Sequence, residues 1–218
     1  MAGKLIVLEG TDGSGKSTQL QLLCRRLQRE NKPFYQLVFP RYEEPSSTLV
    51  RMYLNGDFGA NPSDVNAYAA STFYAVDRYA SYQMEWKRIY ESGGLLISDR
   101  YTTSNAIHQA AKLPKEQRTS FFQWLFDFEY HKLGLPRPDL VLFLDMPTDR
   151  ATQLLRGREG ETGTKGDIHE INMTYLSLCR EAAYEAAQYG GWHRISCVHQ
   201  NKIRTPEDIG EEIYHMIF

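Results

Sequence analysis

Residues 10 to 17 read GTDGSGKS and follow directly on the apolar run KLIVLE. This G-x-x-x-x-G-K-[ST] pattern, set between a strand-like run and a helical pattern, leaves the chain few ways to fold. The glycines let successive backbone N–H groups turn inward around a polyphosphate, and the helix that opens at Lys16 brings its positive end to the same point. From average residue usage the bare pattern arises by chance in about 1% of chains of this length, and correct placement lowers that further. Gly10, Asp12, Gly13, Ser14, Gly15, Lys16, Ser17 and Thr18 are therefore the candidate ATP-binding residues. Lys16 can reach the β- and γ-phosphates, and the Ser17 hydroxyl can ligate Mg²⁺. Asp12 is the odd member, because an acid in a phosphate cradle needs a metal or a sugar hydroxyl to face.

Apolar runs and helical patterns alternate along the rest of the chain. FYQLVF (34–39), GLLIS (94–98), DLVLFLDM (139–146) and HRISCV (193–198) join KLIVLEG as strand candidates. Leu20, Leu23, Cys24 and Leu27 form one stripe of a helix from Lys16. Further helices are predicted from about 46 to 56, from 63 or 64 to about 91, over most of 103–133, from 148, and from about 167 to 188. TPEDIGEEIYHMI closes the chain as a helix, with Thr205 as cap and Pro206 in the first turn. RGREGETGTKG (156–166) is charged, glycine-rich and free of apolar residues, so it reads as a mobile loop. Strands alternating with helices imply parallel strands joined by crossovers. The expected architecture is a three-layer α/β sandwich with a five-stranded parallel sheet. It forms one domain over 1–218, with a lid at about 156–166.

A formal net charge of −2 argues against a general nucleic-acid binder, which needs a basic excess. Cys24, Cys179 and Cys197 are scattered and form no CxxC pair, so reduced, buried thiols are expected. No signal-like stretch or apolar run of membrane-spanning length is present, and the expectation is a cytoplasmic location with no membrane partner.

Ligands of parallel sheets bind beyond the carboxyl ends of the strands, so residues just after each strand carry the chemistry. Arg41 follows the second strand and can grip an anion opposite the loop. That favours a monophosphate acceptor. Its attacking oxygen is already ionised and needs cations, whereas a nucleoside hydroxyl benefits from a carboxylate base. Asp99 and Arg100 follow the third strand. Asp99 suits a carboxylate that orients Mg²⁺ through water, and Arg100 adds charge between two phosphates. After the fourth strand, Asp145 and Asp149 are weaker candidates, Asp149 as a dipole-favoured helix start. Arg156, Arg158 and Lys165 of the lid can reach a transferring phosphoryl group.

LEGTDGSGKST, FPR, FYAVDR, DRYTTSN and PDLVLFLD, in that order, together with the arginine-bearing lid and Asp167 and Glu170 beyond it, resemble the thymidylate kinase family of P-loop nucleoside monophosphate kinases. The resemblance runs along nearly the whole chain. It implies ATP and dTMP as substrates, Mg²⁺ as cofactor and a homodimer. Lys16, Asp99, Arg100, Arg156 and Arg158 then form the catalytic set, with Ser17 and Asp99 at the metal. Asp12, Arg41, Tyr74, Arg78, Arg100 and Asn105 hold dTMP. Tyr74 and Arg78 are one helical turn apart, so the ring can stack on thymine while the guanidinium reads its carbonyl edge. One branch of the family carries an arginine directly after the loop acid. Here that position is Gly13, so the catalytic arginine comes from the lid, as Arg156 or Arg158. A deoxynucleoside kinase or another nucleotide kinase is the alternative enzyme. A non-catalytic nucleotide-binding module is the alternative outside enzymes. A guanine-reading N-K-x-D is absent, since Arg204 stands where its aspartate belongs.

Overall fold

The computed structural model describes the backbone of residues 2–162 and 173–218, and their side chains except at 158–162 and 173. Five parallel strands form the sheet: β1 (Lys4–Glu9), β2 (Tyr35–Val38), β3 (Leu95–Asp99), β4 (Leu140–Asp145) and β5 (His193–Ser196). Their order is β2-β3-β1-β4-β5, with β1 at the centre. Leu5, Ile6, Val7 and Leu8 are all fully buried, as a strand covered on both faces requires.

Alternate side chains go to opposite layers. Ile6 and Leu8 join Leu142 and Leu144 against α1 (Lys16–Arg29) and α9 (Pro206–Ile217), through Leu20, Leu23, Leu27, Ile209 and Ile213. Leu5 and Val7 face the other way with Leu96 and Val141, onto Trp86, Tyr101 and Leu135. Phe143 sits beside α6 (Lys115–Phe126) and α8 (Met173–Gly190), among Phe121, Phe122, Leu125, Ala182 and Ala186. This is the expected three-layer sandwich. Truncating a core leucine such as Leu27, fully buried, to alanine should cost about 2–5 kcal/mol.

Some boundaries move for physical reasons. The segment expected to be helical from residue 46 is a 3₁₀ turn at Pro45–Ser47 followed by α2 (Thr48–Leu54). The long helix does not begin at 63 or 64. Pro62–Asp64 form a separate 3₁₀ turn, and α3 (Ala67–Ser81) starts after Asn66, whose side chain caps it by accepting from Ala69 N. Asparagine in extended backbone is a strong cap. A π-helical turn, Tyr82–Trp86, joins α3 to α4 (Lys87–Glu91). The helical stretch after β3 splits into α5 (Thr102–His108), a 3₁₀ turn and α6, interrupted at Pro114, and it ends in a second π-helical segment, Asp127–Lys132.

Helix α7 (Thr148–Thr162) runs through residues 156–162, where the sequence pattern reads as a loop. Glutamate and arginine are good helix formers, no proline intervenes, and Gly157 and Gly160 cost only about 1 kcal/mol each. The expected helix start at Asp167 lies outside the described residues. Beyond β5 the chain makes a small hairpin, β6 (Val198–His199) and β7 (Lys202–Ile203). Gln200 and Asn201 carry positive φ of 46° and 61°, the geometry of a two-residue hairpin turn. Asn201 therefore belongs to the turn and Lys202 to β7. All three cysteines are free and buried. No described helix is long and apolar enough to cross a membrane.

Candidate active site

Strand register sets the site. Leu8 of β1 and Val38 of β2 both pair with Asp99 of β3. Gly10, Arg100 and the segment leading to Arg41 therefore leave the sheet along one edge.

The phosphate loop closes on itself. Lys16 Nζ donates to the carbonyls of Gly10 (2.8 Å) and Thr11 (3.0 Å). Helix α1 begins behind Gly15, at φ 88°, and no side chain caps its first turn. That leaves its N-terminal end suited to an anion. Burial pushes the Lys16 ammonium down and Arg100 adds to that, while Asp12, Asp99 and Glu9 oppose it. Gly13 has φ 76°, and a Cβ there would collide with the Ala151 carbonyl oxygen of α7. An arginine cannot occupy this position without displacing α7.

Arg100 is the centre of the charge network. Its φ is 65°, a left-handed conformation that costs an ordinary residue about 1–2 kcal/mol. Such strain is typically held at functional sites. Its Nη2 pairs with the Asp12 carboxylate, which gives the odd acid of the loop a partner. Its Nη1 donates to Ser104 Oγ at 3.3 Å and to His108 Nε2 at 3.1 Å. Guanidinium has no acceptor, so that histidine nitrogen accepts. Burial alone would lower the Arg100 pKa, but Asp12, Glu9 and Asp99 outweigh it and raise it. Beneath lies Glu9, fully buried, accepting from Gly10 N (3.0 Å), Thr103 Oγ1 (2.7 Å) and Ser104 Oγ (2.9 Å). Burial pushes its carboxyl up, against the pull of Arg100 and Lys16.

Ser17 Oγ donates to Asp99 Oδ2 at 3.2 Å, while Asp99 Oδ1 is buried without a hydrogen-bond partner. Two hard oxygens, one of them orphaned, fit a Mg²⁺ ion that keeps most of its waters and takes further ligands from phosphates. Among the described residues no group of three His, Cys, Asp or Glu side chains is arranged for a metal, so an all-protein cage is not built here.

Two cavities meet at this network. One, of about 380 Å³, is lined by Asp12 through Thr18 of the phosphate loop, with Asp99, Arg100, Leu154 and Leu155. The other, of about 260 Å³, is lined among others by Tyr74, Arg78, Tyr101, Asn105 and His108. Asp12, Ser17, Asp99 and Arg100 line both. Tyr74 packs edge-on against Tyr53, with ring centroids 6.4 Å apart, while Phe73 packs on Tyr53 and Phe58 outside the cavity lining. Arg78 is 1% exposed and gripped by Glu129, through Nε at 2.7 Å and Nη2 at 2.5 Å. Burial alone would lower its pKa, but the Glu129 carboxylate outweighs that and raises it.

The chain matches the family model described as thymidylate kinase over residues 8–208. The chain belongs to the thymidylate kinase family. A thymidylate kinase of Mycobacterium tuberculosis is 31% identical over 190 residues, covering 86% of this chain and 87% of that protein. One from Schizosaccharomyces pombe is 32% identical over 162 residues, covering 73% of this chain and 68% of that one. A solved thymidylate kinase from Candida albicans superposes with a TM-score of 0.74 at 22% identity, covering 99% of this chain and 91% of that one. This last likeness speaks for the P-loop nucleotide kinase fold.

Not every expected site residue of this family member lies in a cavity. Arg41 lines neither. Its Nε bonds Asp77 Oδ1 at 3.2 Å, its Nη2 donates to Ser46 Oγ at 2.8 Å, and its Nη1 pairs with Glu85. Arg156 is exposed on α7, one residue past the cavity-lining Leu155, and lines neither cavity. Gly10 helps close the loop without lining either. Arg158 falls outside the described side chains, and Lys165, Asp167 and Glu170 outside the described residues. Conversely, His108, Glu9 and Glu129, and Tyr42, which lines the cavity beside Tyr74, went unread in the sequence. Only His108 left a trace, one turn after Ser104 on the helix that follows Arg100.

Proposed function

We propose that this chain transfers the γ-phosphoryl group of ATP to dTMP, giving dTDP and ADP. The observation that carries the reading is the pair of adjoining cavities that share Asp12, Ser17, Asp99 and Arg100. A phosphate loop forms one wall, and an aromatic ring, an arginine and an asparagine line the other. ATP takes the loop side and dTMP the side of Tyr74.

A dTMP phosphate oxygen attacks the γ-phosphorus, and the bond from that phosphorus to the β,γ-bridging oxygen breaks. The attacking oxygen is already ionised, so no general base is required. The work is positioning and charge neutralisation. Lys16 releases its two loop carbonyls to meet the β- and γ-phosphates. Arg100, held over the boundary by its backbone conformation and by Ser104, faces both anions. Ser17 and Asp99 would hold Mg²⁺, which would neutralise part of the polyphosphate charge. Arg41 leaves its ion pairs to reach the acceptor phosphate. Gly13 admits no arginine, which leaves Arg156 or Arg158 to approach the transferring group. Tyr74 stacks on the base while Arg78 and Asn105 read its edge.

The enzyme works as a single domain in the cytoplasm and as a homodimer. Exposed Tyr68, Val76 and Tyr79 along α3, with Met84 just beyond, support the dimer. Incubation with ATP and Mg²⁺ against a panel of dTMP, dCMP, dUMP and thymidine tests the reading. dTMP should be the best acceptor, and phosphorylation of thymidine in place of dTMP would refute it.

A further inference from the structure

Glu129 is fully buried, yet it lines neither of the two cavities and forms no part of the phosphate network. It projects from the π-helical segment that ends α6. Its two oxygens receive four donors. Oε2 accepts from Arg78 Nε (2.7 Å) and Thr102 Oγ1 (2.7 Å), and Oε1 from Arg78 Nη2 (2.5 Å) and Asn105 Nδ2 (3.4 Å). One carboxylate thus holds both side chains that face the base.

The polarity of that arrangement matters more than its strength. Carboxylate oxygens only accept, so Asn105 must turn its NH₂ toward Glu129. The second amide hydrogen goes to the Ser71 carbonyl at 3.2 Å. Both hydrogens are then spent, and the carbonyl Oδ1 is the atom left for the cavity. Arg78 is fixed by its Nε–Nη2 edge, and its Nη1 reaches only the Tyr101 carbonyl, at 3.5 Å. The guanidinium therefore keeps donors for the cavity. One donor beside one acceptor is the complement of a pyrimidine that carries a carbonyl at position 4 and a proton on N3. Cytosine presents the reverse pattern, an amino group and a bare N3.

We infer that Glu129 is the positioning residue that sets base selection, fixing Asn105 as acceptor and Arg78 as donor without touching the nucleotide. The inference rests on dTMP occupying the cavity lined by Tyr74. In Glu129→Gln the new amide can donate to Asn105, which can then turn its NH₂ toward the cavity and meet the bare N3 of cytosine, at the cost of its bond to the Ser71 carbonyl. Charge, and not bulk, is the lever.

The test compares kcat/KM for dTMP and dCMP in the wild-type chain, Glu129→Gln and Glu129→Asp, with ATP saturating and folding checked by circular dichroism. Loss of a charge-assisted hydrogen bond corresponds to about a tenfold change or more. The dTMP-to-dCMP ratio should fall by about that factor in Glu129→Gln. The KM for ATP should stay within about twofold, which a general loosening of the fold would not spare. Glu129→Asp keeps the charge and should hold the ratio within about threefold of wild type even if overall turnover drops. An unchanged ratio in folded Glu129→Gln overturns the inference. If that variant does not fold, a collapse of the ratio in Glu129→Asp overturns it, and retention supports it. The wild-type arm separates the two ideas, since failure to phosphorylate dTMP there sinks the reading of the site, whatever Glu129 does.

Discussion

Replacing Arg41 by alanine isolates the acceptor phosphate from the donor. In this structure the guanidinium is bonded to Asp77 at 3.2 Å and to Ser46 at 2.8 Å, and paired with Glu85. Its side chain is 13% exposed and Glu85 is 36% exposed. The Glu85 pair lies near the surface and is worth about 0–1 kcal/mol; Asp77 is 1% exposed but keeps the donors Arg41 N and Ser46 Oγ when the guanidinium leaves, so leaving both costs about 1 kcal/mol in total. A charge-assisted bond to a phosphate is worth about 1.5–3 kcal/mol. The net gain is about 0.5–2 kcal/mol, a two- to thirtyfold effect at about 1.4 kcal/mol per decade. The KM for dTMP in Arg41→Ala should rise by that factor, while the KM for ATP stays put. Asp77 keeps two donors, Arg41 N at 2.9 Å and Ser46 Oγ at 2.6 Å, so the fold should survive with a loss of about 1–3 kcal/mol. Steady-state kinetics with each substrate varied in turn give both constants. Equal changes in both, or none in either, would show that Arg41 remains a structural ion-pair partner throughout the cycle.

Lys16→Ala should abolish most turnover yet keep the fold, because the side chain bonds only loop carbonyls; near wild-type kcat in a folded variant would remove it from the phosphate cradle. Of Arg156→Ala and Arg158→Ala, one should lower kcat by about 10³-fold with little change in either KM, and losses of only a few-fold in both would move charge neutralisation to Arg100. Tyr74→Ala should weaken dTMP and dCMP alike, since a stacked ring accepts any base; a selective loss of dTMP would mean the hydroxyl reads the edge. Lys112, whose Nζ donates to the Val65 carbonyl at 3.0 Å, is pushed down by burial to about 7. Above that pH the folded chain has released a proton that the unfolded chain still holds, so stability should rise from about pH 7 to about pH 10, with a slope of up to about 1.4 kcal/mol per unit. Lys112→Met should flatten the slope, and identical slopes in the two proteins would contradict the shift.

The phosphate loop and the sheet were legible because their rules are local. A buried parallel strand must be apolar on both faces, and a cradle for phosphate must free its backbone, so Leu5–Leu8 and Gly10–Ser17 declare themselves. Asp99 and Arg100 followed from strand ends alone. What the sequence hid was pairing over distance. Arg41 is held by Asp77, 36 residues away, and nothing in FPR foretells it. Glu129 looks like a solvated carboxylate on an amphipathic helix until the π-helical segment turns it inward against Arg78, 51 residues earlier. The reach of α7 to Thr162 was missed for a different reason. Glycine-rich, charged sequence reads as loop, but two glycines subtract too little to end a helix otherwise made of good formers.

The measurement closest to the central claim is product analysis after mixing the chain with ATP, Mg²⁺ and dTMP. The chain should yield dTDP and ADP in equal amounts, with both lost together in Lys16→Ala. ADP formed without dTDP, or no turnover in a chain that still binds ATP, would contradict phosphoryl transfer between the two cavities.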